Sequence, residues 1–333
     1  MASWLSTSRD ARGVAHAVKR SISKATFLRN ESRLTMIDTM TATSMISTQR
    51  VTKTFGSKAV LQGVDLNVPA GAVVGLIGTN GAGKSTLIKC LLGLLRPTSG
   101  TIKLLGEDPW NLSASAKSRL GYVPQIVKLY PWMKVRHIVA YTSAFYDLWD
   151  SDWAETLLDR WDLPREHRVG PLSPGQLQKL ALVLALGYRP ELLVLDEPVA
   201  SLDPVARREF LRSLLEVCQD ERHTVLFSTH ITSDLERVAS HLAILKEGKI
   251  VMFDELDAVK DRVKRLRISS ATDLPTDFTV RGALRTEVTG RQAVAAVSDL
   301  DDNLLEEVRG KWQAEVRVED LNLEDIFLEL HQR

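Results

Sequence analysis

The chain has 333 residues, enough for one large domain with a smaller one beside it. A formal net charge of +1 excludes a global electrostatic pull toward nucleic acid or anionic lipid, and no nucleic-acid partner is expected. No apolar run approaches the roughly 20 residues that cross a bilayer, so if a membrane is involved, another chain must supply the span.

Residues 1–44 differ from the rest. They are rich in Ser, Thr and Met, and Arg9, Arg12, Lys19, Arg20, Lys24, Arg29 and Arg33 outweigh Asp10, Glu31 and Asp38. The stretch is superficially like an organelle transit peptide. The preferred expectation is a disordered tail, or an upstream extension of a reading frame that starts at Met36, Met40 or Met45. From Ile46 the pattern turns to strand. Val51, Phe55, Val60, Leu61, Val64, Leu66 and Val68 sit in short runs broken by Gly56, Gly63 and Pro69-Ala70-Gly71. Antiparallel strands are expected there. Phe55 has two open readings, a ring that stacks on a base or a core residue.

Val73 to Ile77 is an apolar run read as a buried strand. It leads into Gly78-Thr79-Asn80-Gly81-Ala82-Gly83-Lys84-Ser85-Thr86, which fits the phosphate-binding pattern G-x-x-x-x-G-K-[ST]. Ser85 to Leu95 then carries apolar residues at helical spacing. Glycines let successive N–H groups curl inward toward phosphate oxygens, and the helix N-terminus adds partial positive charge. Lys84 is expected to reach the β- and γ-phosphates, and Ser85 to ligand Mg²⁺.

Thr101–Gly106 and Leu120–Gln125 read as strands. Residues 131–168 show helical periodicity with Trp132, Tyr141, Phe145, Tyr146, Trp149, Trp153 and Trp161, read as helix packing or as a partner-facing surface. Leu172-Ser173-Pro174-Gly175-Gln176 opens a strongly helical run, and Ser173 with Gly175 at its start is a second candidate anion site. Leu192–Leu195 followed by Asp196-Glu197 reads as a buried parallel strand with acids at its carboxyl end, where ligands sit in open α/β sheets. Asp196 is expected to hold Mg²⁺ and Glu197 to activate a water. Asp203 is the predicted N-cap of the next helix, with Pro204 at its first position. Thr224–Thr229 repeats the strand theme and ends in His230, placed to contact a γ-phosphate. His241–Leu245 and Lys249–Phe253 read as a hairpin. Beyond residue 265, strands around Leu266–Ile268, Phe278–Val280 and Ala314–Val318, with helices at Gln292–Leu300 and Leu323–Leu330, suggest a small α/β appendage. Cys90 and Cys218 lie in apolar helical patterns and read as buried thiols in a reducing compartment.

Together these stretches resemble the nucleotide-binding subunit of ABC transporters. The resemblance rests on the phosphate loop at 78–86, Gln125 as the loop glutamine, Leu172–Gln176 as the signature, Leu192–Glu197 as the acidic strand, Ser201-Leu202-Asp203 as the D-loop and His230 as the switch histidine. It implies an α/β phosphate-loop NTPase over residues 45–260, with an antiparallel β subdomain and a helical subdomain at about 126–186. Residues 265–333 form the accessory unit. It further implies ATP and Mg²⁺ as ligands, with Mg²⁺ held by Ser85, Gln125 and Asp196. Glu197, His230, Lys84 and Gln125 would serve catalysis, and Phe55 matches the family's base-stacking aromatic. Ser173, Pro174, Gly175 and Gln176 would close over the ATP of a second copy, or of a paralogous subunit, packed head to tail. The partner would be a membrane permease engaged from the cytoplasmic face. The tail Asp320-Leu321-Asn322-Leu323-Glu324-Asp325-Ile326-Phe327 resembles exporter-type subunits encoded apart from their permease. Two departures stand out: Pro174 where a glycine is usual, and Leu177 where a basic residue is common. A soluble non-transport ABC ATPase and a nucleotide-binding switch are the alternatives. The single cassette weighs against the first, and the intact Lys84, Asp196, Glu197 and His230 against the second.

Overall fold

The computed structural model describes residues 44–200, 202–218 and 223–331. The expected N-terminal tail at residues 1–43, Ser201 of the D-loop and the side chain of Cys218 lie outside the described part. Within it, a six-stranded sheet carries the core. Its order is β5 (Leu120–Val123), β6 (Leu192–Leu195), β7 (Thr224–Thr229), β3 (Val73–Ile77), β8 (His241–Lys246) and β9 (Lys249–Glu255). The first five are parallel, and β9 returns antiparallel through the expected hairpin. Every residue of β3, β6 and β7 is buried, as unbroken apolar runs demand of strands covered on both faces.

One face of this sheet packs on a three-stranded antiparallel sheet and on α1 (Lys84–Leu91). That smaller sheet has the order β2 (Lys58–Pro69), β1 (Ser44–Phe55), β4 (Ser99–Leu104). Helix α1 stops short of the expected Leu95. Gly93 takes φ +68, and Leu94 N–H and Leu95 N–H both turn back to the Lys89 carbonyl. Cys90 on α1 is fully buried, and desolvation pushes its thiol pKa up. The other face packs on α3 (Val135–Ser143), α4 (Ser151–Arg160), α5 (Pro174–Leu186), α6 (Pro204–Cys218) and α7 (Thr232–Val238). Helix α2 (Ala114–Ser118) precedes β5, and α8 (Leu256–Arg262) follows β9.

A separate antiparallel sheet closes the chain. Its order is β11 (Ala283–Thr289), β12 (Gln292–Ser298), β10 (Val263–Ser270), β13 (Ala314–Asp320). Two expectations fail here. Gln292–Leu300 is not helical: its first seven residues are β12, paired on both sides. The alanines favour helix locally, but Ala293, Ala295, Ala296 and Val297 are buried in the sheet, and tertiary pairing overrides propensity. Phe278–Val280 forms no strand; both ends are buried in a loop under that sheet's core. The helix of this unit is α9 (Asp302–Trp312), capped by Asp301, whose Oδ1 accepts from Leu304 N–H at 2.7 Å. The last helix, α10 (Leu323–His331), returns to the six-stranded sheet's side of the chain: Leu321, Leu323 and Ile326 join the large core beside Leu235 and Val238. Among the described residues no helix is long and apolar enough to cross a membrane.

Candidate nucleotide site

Sheet order alone lines up the predicted residues. Across β5-β6-β7-β3 the parallel register pairs Val123 with Leu195, Leu195 with Phe227, and Ile77 with Thr229. The carboxyl ends therefore present Gln125, then Asp196 and Glu197, then Ser228 to His230, then the phosphate loop along one edge. In open α/β sheets this edge is where ligands bind.

The loop wraps as its glycines require. Gly83 sits at φ +110, with Leu61 Cδ2 and Val60 O at 3.0 and 3.1 Å from where a Cβ would stand. A Cβ on Gly78 would lie 2.4 Å from the Leu245 carbonyl oxygen. Both positions exclude a side chain, one through backbone conformation and the other through close approach. Lys84 is 5% exposed, and its Nζ donates to the carbonyls of Gly78 (2.8 Å) and Thr79 (3.3 Å). It also pairs with Glu197 Oε1 at 3.1 Å. Thr79, Asn80 and Gly81 are exposed at the loop's rim, Ala82 is buried, and Ser85 and Thr86 open α1 half-buried.

Glu197 is the hub. Its Oε2 accepts from Gln125 Nε2 at 3.2 Å and lies 3.7 Å from His230 Nδ1. Its backbone is left-handed, φ +44, which is uncommon for a non-glycine residue and marks a locally strained, over-determined position. The restraint is visible: Glu197 N–H donates to Ser228 Oγ at 2.8 Å, and Ser228 Oγ donates to Asp196 Oδ1 at 2.9 Å. Ser85 Oγ donates to the same Asp196 oxygen at 3.1 Å. Ser228 is fully buried and was missed by the sequence reasoning, which used its strand only to place His230. Gln178 was missed too; its buried Nε2 donates to Pro198 O at 2.8 Å and ties α5 to the acidic turn. A hydroxyl two residues before His230 and an amide on an otherwise apolar helix face were the available signals.

Ser173 to Gln176 form the start of α5. Ser173 caps α5 in a reciprocal capping box: its Oγ accepts from Gln176 N–H (3.2 Å), and Gln176 Oε1 accepts from Ser173 N–H (3.1 Å). Pro174 takes the first helical position, where its missing N–H breaks no intrahelical bond. Ser173, Gly175 and Gln176 border an open hollow of about 690 Å³. Asp203 caps α6 as expected. Its Oδ1 accepts from Ala206 and Val205 N–H, which hold the carboxyl below the usual range. Among the described residues no hydrogen bond or ion pair joins Ser173, Pro174, Gly175, Gln176 or Asp203 to the phosphate loop. Phe55 stands at the end of β1, 48% exposed, with Lys53 Nζ 5.0 Å from its ring centre; it is not a core residue.

The seven aromatics of residues 131–168 divide into packed and exposed rings. Trp161 is buried, Trp149 and Trp153 pack on the core, and Tyr146 stacks on Tyr188 at 3.8 Å. Trp132, Tyr141 and Phe145 are exposed. With Tyr130 they form a contiguous run of tilted and edge-on rings 5.2–5.9 Å apart.

Fold and site define a phosphate-loop nucleotide-binding cassette, and the comparisons place it. Residues 61–200 match the ABC transporter family. The chain is 34% identical over 295 residues to the uncharacterized ABC transporter ATP-binding protein YhaQ of Bacillus subtilis, covering 86% of this chain and 98% of that one. It is 33% identical over 302 residues to the Nod factor export ATP-binding protein I of Burkholderia lata, covering 86% and 97%. A solved dimeric bacterial ABC transporter cassette superposes with a TM-score of 0.57 at 25% identity, covering 64% of this chain and 99% of that one. The chain belongs to the family of ABC transporter ATP-binding proteins.

Proposed function

We propose that this chain binds ATP with Mg²⁺ and hydrolyses it as one half of a head-to-tail pair. The pair, with itself or a paralogue, drives a separate permease from the cytoplasmic face of the membrane, in the export direction. One observation carries the reading: Lys84, Ser85, Gln125, Asp196, Glu197 and His230 meet along one sheet edge although the first and the last are 146 positions apart in the chain. The export direction is supported by the Nod factor export relative, and the pairing by the dimeric cassette.

The donor set fits Mg²⁺. Ser85 Oγ and Asp196 Oδ1 are hard oxygens 3.1 Å apart, and among the described residues no cluster of three or more His, Cys, Asp or Glu competes as a metal cage. Mg²⁺ is usually held by one or two protein oxygens together with substrate phosphates. Ser85, Asp196 and Gln125 would hold it, and when bound it supplies charge neutralisation at the β- and γ-oxygens. The loop N–H groups and Lys84 take the phosphates, and Phe55 offers its exposed ring to the base. Glu197 orients a water and accepts its proton as oxygen attacks the γ-phosphorus, leaving ADP and phosphate. His230 steadies the γ-phosphate. Ser173, Gly175 and Gln176 of the second copy cover it. The exposed rings of Trp132, Tyr141 and Phe145, in the segment after Gln125, are offered to the permease.

The test is Mg²⁺-dependent ATP hydrolysis by the full chain against protein concentration, alone and with its permease. A rate per molecule that rises with concentration supports shared sites. ATP binding without turnover even beside the permease makes the chain a nucleotide switch instead.

Two variants probe details. Ser228→Ala removes the acceptor of a buried N–H, which costs about 1–3 kcal/mol. It is expected to lower the melting temperature and to slow turnover about tenfold, with ATP affinity little changed, because Glu197 loses its backbone restraint. Paired thermal melts and steady-state kinetics check this. Pro174→Gly restores one N–H at the signature. ATP-dependent dimerisation, followed by sedimentation, is expected to strengthen about 2–10-fold, the worth of one hydrogen bond. Unchanged dimerisation removes the idea that Pro174 weakens closure.

A further inference from the structure

Helix α7 begins two residues after His230, and its cap residue Ile231 makes no side-chain cap bond. What anchors the helix is Asp234, 3% exposed. Its Oδ1 accepts from Arg207 Nε at 2.9 Å and from Arg207 Nη2 at 2.6 Å. Its Oδ2 is buried with no partner among the described residues. Two helices can pack without a buried charge, and an apolar pair of similar volume often packs as well. The guanidinium fork adds direction: it sets α7 at one rotation and one height against α6.

The two ends of this pair matter. Arg207 lies in the first turn of α6, and its backbone N–H donates to the carbonyl of Asp203 at 2.9 Å. Asp234 N–H donates to Ile231 O at 3.3 Å, and Ile231 N–H donates to Thr229 Oγ1 at 3.1 Å. A continuous hydrogen-bonded line therefore runs from Asp203 to the residues on both sides of His230. On the far side α7 has a second tether. Glu236 accepts from Leu323 N–H of α10 at 3.1 Å and pairs with Lys260 of α8 at 3.0 Å. The helix is thus braced against the accessory end of the chain while Arg207 holds it to the Asp203 loop.

We propose that Arg207 and Asp234 are a positioning pair for the hydrolytic step, tying the placement of the Asp203 loop to that of His230. The proposal rests on the ATPase reading above. Neither residue touches the nucleotide; both act through His230. Movement of the Asp203 loop against a second copy is carried by Arg207 into α7, and so into the approach of His230 toward Glu197.

The test uses the full chain and Asp234→Asn, which keeps the shape and the Oδ1 acceptor but removes the charge. Expected is a fall in kcat of about tenfold, with KM and ATP affinity within about twofold. In a His230→Ala background the same substitution is expected to change kcat by less than about twofold, because the two residues act as a unit. Equal losses in both backgrounds, or a change confined to KM, overturn the proposal. Arg207→Lys, which keeps the charge and loses the fork, gives the same comparison should Asp234→Asn fold poorly. Amide hydrogen exchange over residues 229–235 is read in parallel and needs no turnover. Faster exchange in Asp234→Asn is expected, and unchanged exchange refutes the pair's hold on this segment. A wild-type chain that never hydrolyses ATP, yet shows the faster exchange in the variant, overturns the ATPase reading and leaves the mechanical link standing.

Discussion

Glu197→Gln is expected to bind ATP at least as tightly as the wild type and to turn it over about 10²–10⁴-fold more slowly. Glutamine keeps the size of the side chain and an oxygen for Gln125 Nε2, and the backbone N–H bond to Ser228 Oγ is untouched. What disappears is the proton acceptor. A negative charge also disappears from beside Lys84, whose Nζ is shared with Glu197 Oε1 at 3.1 Å. With less competition for that ammonium, the triphosphate gains. Single-turnover hydrolysis and equilibrium nucleotide binding separate the two effects. Near-normal turnover in the variant removes Glu197 from the role of base.

Lys84→Ala is expected to abolish measurable ATP binding at concentrations that saturate the wild type, a loss of at least about 100-fold. Charge-assisted bonds to phosphate are among the strong ones. The variant should also lose stability, because Glu197, 9% exposed, is left as a buried carboxylate without its cation. Breaking such a pair from one side costs about 3–5 kcal/mol. The double variant Lys84→Ala/Glu197→Gln discriminates: the melting temperature should largely recover, while ATP binding should not. Recovery of both would mean that Lys84 serves only to neutralise Glu197.

Much of this site was legible in the residues. The phosphate loop, the acid pair after four apolar residues, the capped start of α6 and the histidine at a strand end are local patterns. Each is written in a few consecutive side chains, and each stands where it was expected. Ser228 was not legible as a site residue, because its role exists only when β6 and β7 lie side by side in parallel register. The left-handed backbone at Glu197 was hidden for the same reason, since its N–H finds its acceptor on a neighbouring strand. The helix expected at Gln292–Leu300 shows the limit most plainly. Alanine-rich local preference pointed one way, and pairing with β10 and β11 decided the other.

The sequence by itself determined the chemistry available to this protein: a phosphate cradle, a lysine, two carboxylates, a glutamine and a histidine, each at the end of a strand or the start of a helix. Short-range physics sets these, through glycine conformation, apolar periodicity and capping. Only the tertiary structure decided which of them meet. Strand order placed Gln125, Asp196, Glu197 and His230 along one edge with Lys84. It also carried α10 back onto α7 and joined Arg207 to Asp234 across 27 positions of chain. Such contacts follow from burying apolar faces over long loops, and no window of neighbouring residues contains that information.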